Sequence, residues 1–307
     1  MKDKDEAFAR VKGLFNITVT PFKRDGSVDK TAMRENIARV LDLGYDGLLI
    51  GGTYGEFPAM SPEERADLFR FVAGEVGNRA PLLLCTAHSD VRVVRDLTHL
   101  ASELGGLPMV TAPYVSEVEE GHIHDFFRDI VPESQTGIMI YNAPGIGITL
   151  SPALIERLAG IDGIVALKQG DLSPGTVDRL VSSVVGRIRV LAASDLVFPG
   201  VIVAGFDGLS STNSCAIPEI ILETYQRLNA GDALAAGALH RSWYPLRALC
   251  RRYGQPQTTK AAMNARAWTG GHVRRPLRNV TEEQAREIVD VIAKLPTVAV
   301  AAAIGHR

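Results

Sequence analysis

Cysteine is scarce. Cys85, Cys215 and Cys250 are the only three in 307 residues, widely spaced and odd in number. With no CxxC pair among them, a disulfide scaffold and a cysteine-built zinc or redox site are both excluded. Such usage suits a reducing cytoplasm. An excess of charge is equally absent: 33 basic residues against 35 acidic ones leave −2, so no basic face is expected for nucleic acid. No apolar run approaches the roughly 20 residues of a membrane span; the closest, Val298–Ile304, is far shorter. The start, Met1-Lys-Asp-Lys-Asp-Glu6, has no apolar stretch of the signal-peptide kind. Low-complexity tracts, linkers and short-period repeats are missing as well, and the tail Ala301–Arg307 is expected to fray.

What remains is a rhythm. Apolar or β-branched runs recur at Leu14–Thr20, Gly47–Gly51, Leu82–Ala87, Pro108–Ala112, Gly137–Tyr141, Ile164–Lys168, Ile188–Ala192 and Gly208–Ser211. Their continuous hydrophobicity predicts parallel strands covered on both faces. Amphipathic stretches alternate with them. Ser61-Pro-Glu-Glu64 carries a capping box with proline at the first helical position, and Ser151-Pro152 and Ser173-Pro174 start helices the same way without the glutamate. After about residue 230 only helices are expected, over Asp232–Arg251, Thr258–Trp268 and from the capping box Thr281-Glu-Glu-Gln284. An open doubly wound sheet would put a glycine-rich phosphate loop after its first strand. Here that strand ends in Thr20-Pro21-Phe22. The pattern therefore predicts a (β/α)8 TIM barrel over residues 1–230 with a C-terminal helical extension over 231–307 packed on it as one structural unit.

In such a barrel the chemistry sits at the C-terminal ends of the strands. Strand two ends in Gly51-Gly52-Thr53-Tyr54-Gly55-Glu56, strand four in Pro113-Tyr114, strand five in Tyr141-Asn142, and strand six in Lys168-Gln169. A lysine emerging from an apolar strand loses hydration, which lowers its pKa and frees a neutral amine for attack on a carbonyl. It could equally snorkel to solvent or act as a fixed charge. Tyr141 could relay protons beside an imine or simply bury its ring. Gly51-Gly52-Thr53 could hold a carboxylate on its amides or make an ordinary tight turn.

Taken together these residues resemble the dihydrodipicolinate synthase/N-acetylneuraminate lyase superfamily of pyruvate-dependent class I aldolases. The resemblance rests on Thr18-Val-Thr-Pro-Phe22, Gly51-Gly-Thr-Tyr-Gly-Glu56, Tyr141-Asn-Ala-Pro144 with Lys168 at close to the family spacing, Gly205-Phe-Asp-Gly-Leu-Ser-Ser211 and Arg275-Pro-Leu277. It implies that Lys168 forms an imine with pyruvate or another 2-oxo acid, with no other cofactor and no metal. It implies that Tyr141 shuttles protons, and that Thr53 binds the substrate carboxylate and passes protons to Tyr141. The Gly52–Tyr54 turn, through the Tyr54 amide, would share that carboxylate, while Ser210 and Ser211 would line the pyruvyl end and Tyr114 the strand-four side. A homotetramer or dimer is the implied assembly.

Four departures from the family pattern bear on substrate. Tyr54 stands where the family usually has a second small hydroxyl residue. Val115 follows Tyr114 where a second aromatic usually reaches into a neighbouring subunit. The segment Gly145-Ile-Gly-Ile148 lacks the arginine that in lysine-biosynthetic synthases grips the second substrate. Asp195-Leu196 keeps one of the two acids of sialic acid lyases, leaving Asp195 alone to bind a hydroxyl. The expectation is a lyase that carries out aldol cleavage or condensation, or dehydration, of a 2-oxo-3-deoxy acid with a sugar acid or a more hydrophobic aldehyde as partner. It is neither an authentic dihydrodipicolinate synthase nor a sialic acid lyase, and its distal pocket is less polar than in those two and lacks a firm anionic anchor. Two alternatives compete. A metal-dependent aldolase would rest on His122 and His124, but a solvated helix start explains that pair better. A noncatalytic oxo-acid sensor of the same fold has no use for a relay tyrosine beside the lysine. His88 and Asp90 could touch substrate, although an N-cap role suits Asp90 better.

Overall fold

The computed structural model describes residues 1–143 and 145–298; Pro144 and the tail expectations over 299–307 lie outside the described residues. The strands β1 (Gly13–Ile17), β2 (Gly47–Ile50), β3 (Leu82–Cys85), β4 (Leu107–Val110), β5 (Ile138–Asn142), β6 (Ile164–Gln169), β7 (Arg189–Ala192) and β8 (Gly208–Ser211) pair in parallel, each with the next, and β8 closes on β1. This is the TIM barrel that the apolar runs predict. Every strand residue except Arg189 is buried, as strands sandwiched between a barrel interior and a helical ring must be.

Two packed layers hold the barrel. Inside it, Phe15, Leu83, Met109, Met139 and Leu191 interdigitate, and Ala7 of the N-terminal helix α1 (Lys4–Arg10) and Val11 just after it join the same core. Outside the strands, the larger core lies against α2 (Lys30–Asp42), α3 (Pro62–Val76), α4 (Val91–Glu103), α5 (Glu120–Ile130), α6 (Pro152–Leu158), α7 (Pro174–Ser183), α8 (Phe198–Ala204) and α9 (Pro218–Asn229). The capping boxes at Ser61 and Thr281 form as the sequence predicts, and Ser151 caps α6. Ser173 does not cap; its hydroxyl turns to Thr176 instead.

Beyond α9 the chain runs through α10 (Ala233–Ser242), α11 (Tyr244–Tyr253), α12 (Gln257–Ala265) and α13 (Glu282–Ile292). The single helix expected over Asp232–Arg251 is therefore two. Pro245 has no N–H to give the carbonyl one turn back and its ring crowds that carbonyl, so the chain bends at Trp243. That bend aims α11 across the C-terminal mouth of the barrel.

A buried ion pair ties this extension down. Lys260 of α12 donates to Glu56 Oε1 at 2.5 Å, to the Thr20 carbonyl at 2.7 Å and to the His272 carbonyl at 2.6 Å. Glu56 accepts the Arg274 amide on its other oxygen at 2.8 Å. Arg274 in turn reaches Ala59, Gly26 and Glu64, which makes it a structural strut. Removing one partner of a buried pair strands the other charge, so Lys260→Met is expected to destabilise the fold by about 3–5 kcal/mol. The double variant Lys260→Met/Glu56→Gln should recover part of that loss. Urea unfolding measures both; a single-variant loss below about 1 kcal/mol, the scale of an exposed pair, would contradict the assignment.

Candidate active site

Lys168 and Tyr141 end adjacent strands and are register partners, so the barrel's hydrogen bonding itself sets them side by side. The Lys168 ammonium nitrogen lies 3.9 Å from the centroid of the Tyr141 ring. The lysine is 2% exposed, and no hydrogen bond or ion pair engages its amine among the described residues. Burial without a compensating anion disfavours the charged form and pushes the amine down to about 7. Lys260 is the informative contrast, because its three N–H donors are all engaged. Burial also holds the Tyr141 phenol well above its usual range, keeping it protonated. Its hydroxyl is 2.8 Å from Thr53 Oγ1.

Thr53 stands on the turn that follows β2. Gly51 there has φ +64°, a conformation that side chains other than glycine resist, and it swings the chain over the barrel mouth. A Cβ on Gly52 would come within 2.8 Å of Leu49, so the second glycine serves close packing. The next residues, Thr53–Gly55, form a short 3-10 turn. Its first amides, of Thr53 and Tyr54, find no carbonyl partner among the described residues.

The other expected residues divide. Ser210 and Ser211 end β8, but Ser210 donates to the Ala192 carbonyl and Ser211 donates to Asp195. Asp195 accepts from Ser211 at 2.6 Å and from the Asn213 side chain at 3.1 and 3.2 Å, so its oxygens brace the β7 and β8 loops. Tyr114 sits half-buried on the opposite side of the mouth, and Val115 beside it is 63% exposed. Tyr54 makes no hydrogen bond to Thr53 or Tyr141, so the hydroxyl chain consists of those two alone. His122 and His124 lie in the first two turns of α5, and no group of three metal-ligating side chains gathers among the described residues. His88 accepts the Asp90 amide, and Asp90 caps α4.

A family model for the dihydrodipicolinate synthetase family matches residues 10–295. The chain belongs to that family. A 4-hydroxy-tetrahydrodipicolinate synthase of Moorella thermoacetica is 32% identical over 88% of this chain and 93% of its own. The enzyme of the same name from Oceanobacillus iheyensis is 27% identical over 90% and 94%. Among solved structures, a putative dihydrodipicolinate synthetase from Pseudomonas aeruginosa superposes with a TM-score of 0.89 at 25% identity, covering 93% of this chain and all of that one. A Clostridium difficile protein solved with mannosamine shares the fold at TM-score 0.88 and 18% identity, over 93% and 99%.

This member of the dihydrodipicolinate synthetase family has a distal cavity whose arginines its sequence did not suggest. A space of about 240 Å³ opens beside the ends of β7 and β8, bounded by Tyr54, Ser210 and Asp195 on the barrel side. Arg247, Arg251 and Gln255 close it from α11 and the loop after it. Two arginines, Arg247 and Arg251, stand among its lining residues. Leu196, expected to make this region greasy, lines it at the rim.

Proposed function

We propose that this chain is a Schiff-base lyase acting on pyruvate or a larger 2-oxo acid through Lys168. In this reading the substrate carboxylate lies on the Thr53 and Tyr54 amides and the Thr53 hydroxyl. The neutral Lys168 amine adds its lone pair to the C2 carbonyl carbon while the oxygen takes a proton from Tyr141. The nitrogen, now an ammonium, returns a proton to the Tyr141 phenolate; Tyr141 then protonates the hydroxyl, which leaves as water to give a protonated imine, and a proton from solvent passed through Thr53 restores the phenol. The imine then withdraws the electron pair of the C3–C4 bond as the C4 hydroxyl loses its proton and becomes the aldehyde carbonyl, the enamine left behind taking a proton at C3; or it stabilises loss of a C3 proton, after which the C4 hydroxyl leaves as water. Hydrolysis of the imine returns the free lysine.

The observation that carries this reading is the lysine amine itself: buried, unpaired, near neutrality in pKa, and set against a tyrosine hydrogen-bonded to Thr53. A lysine kept for structure is engaged as Lys260 is. The relatives' own reaction is disfavoured as this chain's activity because residues 145–149 supply no arginine for its second substrate. A homotetramer or dimer, implied by the resemblance, belongs to the same reading. The rival is an oxo-acid sensor, favoured by the replacement of the second strand-four aromatic with the exposed Val115.

The test is pyruvate release from a panel of 2-oxo-3-deoxy acids, followed by coupled reduction of the pyruvate formed. Dehydration is followed in parallel by mass spectrometry. Turnover of at least one panel member is expected. Binding of 2-oxo acids with no turnover of any would favour the sensor.

A further inference from the structure

Arg247 has no contact ion pair among the described residues. It is 6% exposed, and the acid Asp195 favours its charge through space while no carboxylate lies within salt-bridge distance among the described residues. Among the described residues its Nε is buried with no partner, and its one side-chain hydrogen bond runs from a terminal nitrogen to His240 Nε2 at 3.0 Å. That partner is itself contested, since the same His240 nitrogen lies 3.0 Å from the Leu196 carbonyl. One ring nitrogen cannot donate to a carbonyl and accept from a guanidinium at once. Burying a guanidinium this way is costly unless something anionic completes it. The rings of Trp243 and Tyr244, 5.1 and 5.5 Å from its central carbon, offset only part of that cost.

The position of the charge says what it is for. Arg247 lines the distal cavity, and Arg251, one turn further along α11, lines it too. On the barrel side the same cavity touches Tyr54, the neighbour of the relay residue Thr53, and Ser210 on the last strand. Asp195, the acid in the wall, already accepts hydrogen bonds from Ser211 and Asn213. Lys168, Tyr141 and Thr53 do not line this cavity, so only a 2-oxo acid longer than pyruvate would reach from Lys168 past Tyr54 to the Arg247 guanidinium.

We infer that Arg247, assisted by Arg251, is the specificity-determining anchor for a second carboxylate at the far end of the substrate, so the preferred 2-oxo acids are dicarboxylates. This inference rests on the Lys168 reading for which end of the molecule is which. It moves the anionic anchor from the loop after β5, where this chain has none, to the C-terminal extension. The planar fork suits a carboxylate held bidentately.

The test compares 2-oxoglutarate and 2-oxoadipate with their uncharged-tail counterparts, 2-oxopentanoate and 2-oxohexanoate. Binding is measured by calorimetry on the full-length wild type, on Arg247→Leu and Arg247→Gln, and on Lys168→Ala. Wild type is expected to prefer at least one dicarboxylate by roughly tenfold to a hundredfold, the worth of a charge-assisted bond. Both Arg247 variants should lose that preference while keeping wild-type affinity for pyruvate, which also shows that they fold. Lys168→Ala should keep the preference, at lower affinity throughout. Absence of any preference in wild type, or its survival in both Arg247 variants, overturns the anchor. Failure of Lys168 as the imine residue would register separately, as unchanged 2-oxo acid affinity in Lys168→Ala.

Discussion

Lys168→Ala is expected to lower turnover on the order of 10⁴-fold or more, because it removes the nucleophile itself. The loss should come with little loss of fold, since the lysine amine makes no hydrogen bond that the structure would miss. The pH dependence carries the sharper prediction. Burial depresses this amine to about 7, and only its neutral form attacks a carbonyl. Imine formation should therefore rise with pH, reach half its maximum near 7 and level off above it. Below that point it should fall about tenfold per pH unit. A lysine at its ordinary pKa would instead still be gaining rate through the mildly alkaline range. Rapid-mixing measurements with pyruvate at several pH values distinguish the two profiles.

Tyr141→Phe is expected to cost about 10²–10⁴-fold in turnover, the usual worth of a positioned acid or base. The substitution keeps the ring against the Lys168 amine and removes only the hydroxyl that meets Thr53. The amine should consequently stay near its depressed pKa, and the imine should still form, more slowly. Stability should change by about 1 kcal/mol, the loss of one hydrogen bond. Because burial raises the phenol, the wild-type rate profile should show no descending limb from Tyr141 at mildly alkaline pH. Single-turnover kinetics separate imine formation from the later proton transfers; wild-type rates in both phases would remove Tyr141 from the relay.

The barrel was legible because each strand is buried on two faces and so announces itself as a short continuous apolar run. Lys168 was legible for the same reason, a charged residue closing such a run at the end where chemistry gathers. Thr53 and Tyr141 needed the fold to be brought together, yet their places at strand ends already gave the direction. Glu56 misleads: it lies in the glycine-rich turn beside Thr53, but its carboxylate faces Lys260 and holds the extension in place. Nothing local in the sequence marks that pairing, since the partners meet only across the barrel mouth.

Arg247 was hidden for a different reason. On a helix, an arginine between apolar neighbours at Leu246 and Leu249 reads as the edge of an amphipathic face. It becomes a cavity wall only because Pro245 breaks the helix and redirects α11. That break was available in the sequence as a proline inside a helical pattern, and a continuous helix over Asp232–Arg251 overlooked it. Asp195 shows the converse, since its side chain is engaged by Ser211 and Asn213, partners that no spacing rule connects to it.

The most direct test of the account is borohydride reduction with pyruvate, followed by peptide mass mapping of wild type and Lys168→Ala. The account predicts one reduced pyruvyl adduct in wild type, located on Lys168, and none in the variant. An adduct on Lys260 or any other lysine, or an adduct persisting in Lys168→Ala, would contradict it.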